Sequence, residues 1–239
     1  MVNIVKKVRI RKMLSQQWVN KVTSEEDGIT VIGKDVEGPP SNAIVEVKDI
    51  ADPNIPFDSR NFFTNAIAIE KFINKHHPKT VCELGSMLGA SARFWAERVE
   101  RVVAIDHWDW KRFETLGQSP EDPPKDPTWP FFFERFVSNC YRTNLQNKIA
   151  LLRATTVEAA EYLKQNNLHF DVVYIDAEHA SVSVKRDIDL YLPLADTLCG
   201  DDWGWINEPY NVQGAVKEKA EQYGFNICAE GNFWYFEKK

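Results

Sequence analysis

Five ionisable side chains stand in two short runs of the 239-residue chain, Asp176-Ala177-Glu178-His179 and Gly200-Asp201-Asp202-Trp203, each directly after an apolar, β-prone segment. In an open α/β sheet ligands bind outside the carboxyl ends of the strands, so acids at those ends are placed for chemistry. Asp176, Asp201 and Asp202 brought to one edge repel one another, and burying them unpaired is costly. A divalent cation is the simplest compensation, and hard oxygen donors without a cysteine select Mg2+ or a similar ion such as Mn2+. His179 follows Asp176 by three positions. A helical turn there would bring both side chains to one site, where a neutral imidazole can take a proton from a hydroxyl. The alternative reading has the aspartates capping the helices that follow and His179 as a satisfied helix-start residue.

A second constellation lies upstream. The run Glu83-Leu84-Gly85-Ser86-Met87-Leu88-Gly89-Ala90-Ser91 carries two glycines four apart in a strand-to-helix turn, which lets backbone amides approach a ligand closely. Asp106 ends the next β-prone run, 21 residues after Gly85, where an acid accepts hydrogen bonds from both hydroxyls of a ribose. His107 edges the same position. The two features together indicate a nucleoside-containing ligand. The spacing is GxxxG and not GxGxxG, so no third glycine seats a pyrophosphate, which weighs against nicotinamide cofactors.

The elements that must hold these residues follow from periodicity. Strands are predicted at Thr80–Leu84, Val102–Asp106, Ile149–Arg153, Val172–Asp176, Thr197–Cys199, Phe225–Ala229 and Phe233–Phe236, and helices at 61–74, 89–99, 131–145, 157–166, 181–192 and 210–223. Alternation of strand and helix is the pattern of a parallel sheet covered on both faces. Only Glu230-Gly231-Asn232 separates the last two strands, too few residues for a crossover, so they form an antiparallel hairpin. Residues 1–60 are read as a small appendage with β-rich runs at Ile29–Ile32 and Ala43–Val47, and 61–239 as the main domain. Residues 117–130 hold five prolines and are predicted to form a long loop. Trp108, Trp110, Trp129, Trp203 and Trp205 crowd the same loops and could wall a pocket.

ELGSMLGAS, the acid of AIDHW, and the YIDAEH and GDDW strand ends together resemble class I S-adenosylmethionine-dependent methyltransferases, in particular the metal-dependent O-methyltransferases of the catechol and macrocin (macrolide-sugar) types. The resemblance covers residues 60–239. It implies a Rossmann-like, doubly wound, mainly parallel seven-stranded sheet of order 3-2-1-4-5-7-6 with strand seven antiparallel, in agreement with the terminal hairpin. It places Glu83, Gly85, Ser86, Gly89 and Ser91 around the amino-acid end of S-adenosylmethionine, with Asp106 and His107 at its ribose. Thr155 and Thr156 fall at its adenine. Asp176 borders the cofactor and, with Asp201 and Asp202, falls on the metal-ligand positions, while His179 falls where a general base sits. Asp202 departs from the catechol type, which has Asn there, and an added negative charge should tighten cation binding. The chemistry agrees with this, because a sulfonium loses its charge as the methyl leaves and needs an anionic nucleophile held in line.

The implied function is Mg2+- or Mn2+-dependent O-methylation of a small-molecule hydroxyl, on a sugar or a hydroxylated natural product. Three other readings compete with it: a metal-independent methyltransferase, a non-catalytic nucleoside-binding module, and a nucleic-acid methyltransferase guided by a basic arm. Residues 1–24 carry six basic and no acidic side chains, so the other 215 must carry −12 to give the net −6. That acidic body opposes an extended nucleic-acid track. Four dispersed cysteines indicate neither a disulfide framework nor structural zinc. With no apolar run of membrane-spanning length and no secretory leader pattern, a cytoplasmic protein without a membrane span is expected. The arm and the proline-rich loop are expected to form a lid over the site, with homo-oligomerisation through the arm.

Overall fold

The computed structural model describes residues 43–52, 54–55, 57–58, 63–108 and 132–239. The basic arm, the Ile29–Ile32 run and the proline-rich stretch 117–130 lie outside the described residues, and with them the expected lid.

The β-branched and aromatic runs form strands β1 (Val45–Glu46), β2 (Thr80–Leu84), β3 (Arg101–Asp106), β4 (Ile149–Arg153), β5 (Phe170–Ile175), β6 (Ala195–Gly200), β7 (Phe225–Glu230) and β8 (Phe233–Lys238). The amphipathic segments form α1 (Val47–Ile50), α2 (Ala66–His76), α3 (Ala90–Arg98), α4 (Phe132–Arg142), α5 (Thr156–Gln165), α6 (Ser181–Tyr191) and α7 (Val212–Tyr223). The sheet order is β1-β4-β3-β2-β5-β6-β8-β7. Strands β4, β3, β2, β5 and β6 are parallel, and β8 runs antiparallel to both β6 and β7. Counted from β2 as the first strand, this is the expected order 3-2-1-4-5-7-6.

Among the described residues the sheet has eight strands, one more than the expected seven. The additional one is β1, whose Val45 and Glu46 pair antiparallel with Leu151 and Ala150 on the edge strand β4. An uncovered edge strand presents unpaired backbone groups, and this short segment covers them. Glu46 is buried there and ion-pairs with Arg101. The Ala43–Val47 run therefore breaks after two paired residues into the single helical turn α1, in place of a longer strand.

Side-chain alternation along each central strand divides the core into two layers. Val81, Tyr174 and Cys199 point to the side of α2, α3 and α4, where Phe72, Trp95 and Phe136 pack. Their neighbours Cys82, Val173 and Leu198 point to the side of α5, α6 and α7, against Leu163, Ile188 and Val216. Helix α2 starts at Ala66, later than the predicted 61, and stops where His77 turns left-handed and donates its N–H to Ile73 O at 2.8 Å. Pro78 follows and forbids continuation. No described helix is long and apolar enough to cross a membrane.

Candidate active site

The strand order reverses at β2, which lies between β3 and β5. A crevice opens at such a switch point because the connections leave toward opposite faces of the sheet. Hydrogen bonds continue the register past the strand ends. Gly85 N donates to Ile105 O (2.8 Å), Asp176 N to Leu84 O (3.0 Å) and Asp201 N to Ile175 O (3.1 Å). The turn after β2, the acid after β5 and the acid pair after β6 therefore stand in one row. At Gly85, with φ +85°, a Cβ would lie 2.0 Å from Asp176 O. Only glycine allows the first turn to lie this close to the second.

Three of the predicted site residues converge. Nε2 of His179 lies 2.8 Å from Oδ2 of Asp202 and 3.7 Å from Oδ1 of Asp176. One potential ligand atom from each of the three falls within 4.8 Å of the others. All are partly buried. Burial opposes a charged imidazole, but hydrogen bonds to and the charges of Asp176 and Asp202 outweigh it and push His179 up to about 10. Burial pushes Asp176 up to about 7, against the pull of the His179 partner. In this pair the proton resides on His179, which compensates the two carboxylates. Asp202 holds its position in the left-handed region, with φ 60°.

Asp201 is oriented otherwise. Its Oδ1 accepts from Asn65 Nδ2 (2.6 Å) and from the backbone N–H of Asp202 (2.6 Å), and its Oδ2 accepts from the buried Tyr174 hydroxyl (3.3 Å). Trp234 Nε1 donates to its carbonyl at 2.9 Å. Its carboxylate thus has three donors behind the converging group. Burial raises its pKa, against the amide of Asp202 and Asn65.

On the nucleoside side, Glu83 is fully buried and Ser86 Oγ donates to its Oε2 at 2.5 Å. Burial pushes this carboxyl up to about 8, against the hydroxyls of Ser86 and Ser91, and its buried Oε1 has no hydrogen-bond partner among the described residues. Gly89, with φ +80°, precedes α3 and faces Phe136, and Ser91 lies buried in the first turn of that helix. Asp106 accepts from Met87 N at Oδ2 (2.9 Å) and from Trp108 N at Oδ1 (2.7 Å), so it clamps the two loops together. Each carboxylate oxygen has a further lone pair for a ligand hydroxyl. His107 Nδ1 lies 4.0 Å from Asp106 Oδ1. Thr155 and Thr156 are engaged in the fold: Thr155 forms a capping box with Glu158 at the start of α5, and Thr156 Oγ1 donates to the buried Asp187 at 2.8 Å.

Of the loop tryptophans, Trp110 and Trp129 lie outside the described residues. Trp108 is buried, with its Nε1 donating to Met87 O at 2.7 Å. Trp205 lies over His179 with ring centres 4.8 Å apart and stays 40% exposed, so its outer face is open beside the converging group. The loop that carries it is pinned by Trp205 N to Asp202 O (2.9 Å) and Gln213 N to Trp205 O (3.1 Å). Sequence reasoning missed Asn65 and Tyr174. An Asn directly before a helix carries the same local signal as an ordinary N-cap, and a Tyr inside a strand reads as core. Asn139 was missed as well; fully buried, it binds Asp58 N, Asp58 O and Leu88 O and ties the chain before α2 to the turn before α3.

Residues 82–199 match a family model described as a methyltransferase domain (Methyltransf_24). No curated protein matches the sequence. Among solved structures, an O-methyltransferase from Bacillus cereus in complex with SAH is similar, with TM-score 0.54 and 14% identity over 75% of this chain and 83% of that one. The O-methyltransferase TomG from Streptomyces achromogenes, in complex with SAM and involved in tomaymycin synthesis, gives TM-score 0.52 and 14% identity over 72% and 78%. Cofactor-bound Rv0187 from MTB gives TM-score 0.53 and 15% identity over 77% and 83%. At these identities the likeness is one of fold.

Proposed function

With a methyltransferase domain over residues 82–199 as the premise, we propose that this protein transfers a methyl group from S-adenosylmethionine to a hydroxyl of a small molecule, a sugar or a hydroxylated natural product, with Mg2+ or Mn2+ as the metal. The observation that carries the reading is the convergence of Asp176, His179 and Asp202 within 4.8 Å, beside the glycine turn at the strand-order switch. The O-methyltransferases of similar fold with SAH or SAM bound support the cofactor.

The turn of Glu83, Gly85, Ser86, Gly89 and Ser91 holds the amino-acid end of the cofactor, Asp106 and His107 its ribose, and the segment at Thr155 and Thr156 its adenine. Two carboxylates, Asp176 and Asp202, suit Mg2+ or Mn2+, which commonly takes one or two carboxylates and completes its shell with water or substrate oxygens. Bound there, the cation would offset the negative charge that keeps His179 protonated and would acidify a coordinated hydroxyl. His179 takes the substrate proton at Nε2, the nitrogen that faces the carboxylates. Trp205 packs against one face of the imidazole.

Calorimetric titration with S-adenosylmethionine tests the premise of the reading, and no detectable heat would overturn it. A second reading, a metal-independent methyltransferase, draws on the 2.8 Å contact between His179 and Asp202, a base held by its orienting acid. Chelation separates the two: turnover of an accepted substrate that survives EDTA unchanged removes the metal and favours the dyad.

A further inference from the structure

Thr156 opens α5 and is held from outside its own helix. Its Oγ1 donates to Asp187 Oδ1 at 2.8 Å, and its carbonyl accepts from the Tyr191 hydroxyl at 2.7 Å. Asp187 and Tyr191 stand four apart on α6 and so share one face of that helix. Both are fully buried. Arg186, from the exposed side, donates through Nε to Asp187 Oδ1 at 3.2 Å and through Nη2 to Thr156 Oγ1 at 3.4 Å. The other carboxylate oxygen, Oδ2, is buried with no hydrogen-bond partner among the described residues, and burial raises the carboxyl's pKa against the pull of Arg186 and Thr156. Around this grip the packing of α5 and α6 is apolar, with Ala159, Ala160 and Leu163 in the same core layer as Val184 and Ile188. A buried acid is a costly way to join two helices that apolar side chains already join, so its presence calls for a use other than adhesion.

The turn so held lies at the nucleoside end of the site. Strand β4 runs beside β3 with Arg153 level with Asp106, and Ala154 N donates to Asp106 O at 3.0 Å. With the amino-acid end of the cofactor at the glycine turn after β2 and its ribose at Asp106 after β3, the base continues toward the end of β4, where α5 begins. We propose that Asp187 is a positioning residue for the adenine end of the cofactor: together with Tyr191 it fixes Thr156, and so sets the first turn of α5 against the base. This deepens the reading above and rests on S-adenosylmethionine as the cofactor. The Thr156 hydroxyl is committed to Asp187 and does not itself read the base. Helix α6 begins at Ser181, two residues after His179. The element that follows the converging group therefore also fixes the base end, and one helix sets the spacing between the two.

The test is calorimetric titration of the full chain with S-adenosylhomocysteine and with methylthioadenosine, which share the adenosine and differ at the amino-acid end. The double variant Thr156→Val/Asp187→Leu replaces both partners by apolar groups of similar size, a change that leaves stability near parental. Thermal melts establish that it is folded. It should weaken S-adenosylhomocysteine binding by about fivefold or more, the worth of one well-aligned hydrogen bond. Methylthioadenosine binding should fall by the same factor to within about twofold, because the adenosine is common to both. Thr156→Ser keeps the hydroxyl and should keep parental affinity; a loss there as large as in the double variant overturns the proposal. Tyr191→Phe, which releases only the Thr156 carbonyl, serves if the double variant is unfolded and should lose about twofold or more. Parental affinity in the folded double variant, or in Tyr191→Phe where that variant decides, overturns the proposal alone, as does a loss confined to S-adenosylhomocysteine. A parent protein that binds no S-adenosylhomocysteine overturns the cofactor reading, and the proposal with it.

Discussion

Asp202 reaches the imidazole of His179 at 2.8 Å from a backbone held at φ 60°, so the most direct contact in the site is made by a residue in a conformation that favours glycine or asparagine. Asparagine tolerates this backbone. Asp202→Asn should therefore fold normally, with a melting temperature within a few degrees of the parent, while Mn2+ affinity falls by roughly tenfold or more as one of two carboxylate ligands loses its charge. Parallel thermal melts and Mn2+ titrations check both halves of the expectation.

Cation binding should also register as stability. A ligand that binds only the folded state at about 100 times its Kd contributes about 2.7 kcal/mol, which for a chain of this size raises Tm by roughly 5–10 °C. Mn2+ should produce that shift in the parent protein, EDTA should reverse it, and Asp176→Ala should abolish it. Equal melting curves with Mn2+ and with EDTA would show that the acids hold no ion.

Gly85 is the position with the least tolerance for a side chain. A Cβ would come to 2.0 Å of the Asp176 carbonyl and would also have to accept φ +85°. Gly85→Ala should cost more than about 3 kcal/mol, because the obstacle is backbone on both sides and cannot turn away. Urea denaturation is the measurement, and near-parental stability would mean that the two turns can separate.

Glu83 makes stability depend on pH. Its carboxyl is raised from 4.5 to about 8 by burial, so the folded state keeps a proton that the unfolded chain has lost. The stabilisation is fully present below the unfolded value and is lost as pH rises through the folded one. Across that window its contribution falls by about 1.4 kcal/mol per pH unit. Denaturant midpoints between pH 5 and pH 8 should decline in the parent and decline less in Glu83→Gln, which mimics the protonated form.

Thr155 separates a folding role from a cofactor role. Its capping box at the start of α5 predicts that Thr155→Ala loses about 1 kcal/mol of stability. If the hydroxyl serves the fold alone, S-adenosylmethionine affinity corrected for folding stays parental. A large loss of affinity with unchanged stability would assign it to the adenine.

Much of this protein was legible without coordinates. The short apolar runs at Thr80–Leu84 and Ile149–Arg153 and the amphipathic segments between them mark strands and helices. The short link before Phe233, Gly231 and Asn232, forces the terminal hairpin, because local sterics and hydrophobic patterning act over a few residues and are written there. The same patterning puts Gly85, Asp106, Asp176, Asp201 and Asp202 at the carboxyl ends of strands. Tertiary structure decided how those ends are used. Asp201 and Asp202 are adjacent and chemically identical, so nothing local separates the one that Asn65 and Tyr174 engage from the one that meets His179. Likewise Val45 and Glu46 became an eighth strand because the β4 edge was open to them. Which donor faces which acceptor depends on groups distant in sequence that only packing brings within hydrogen-bond range.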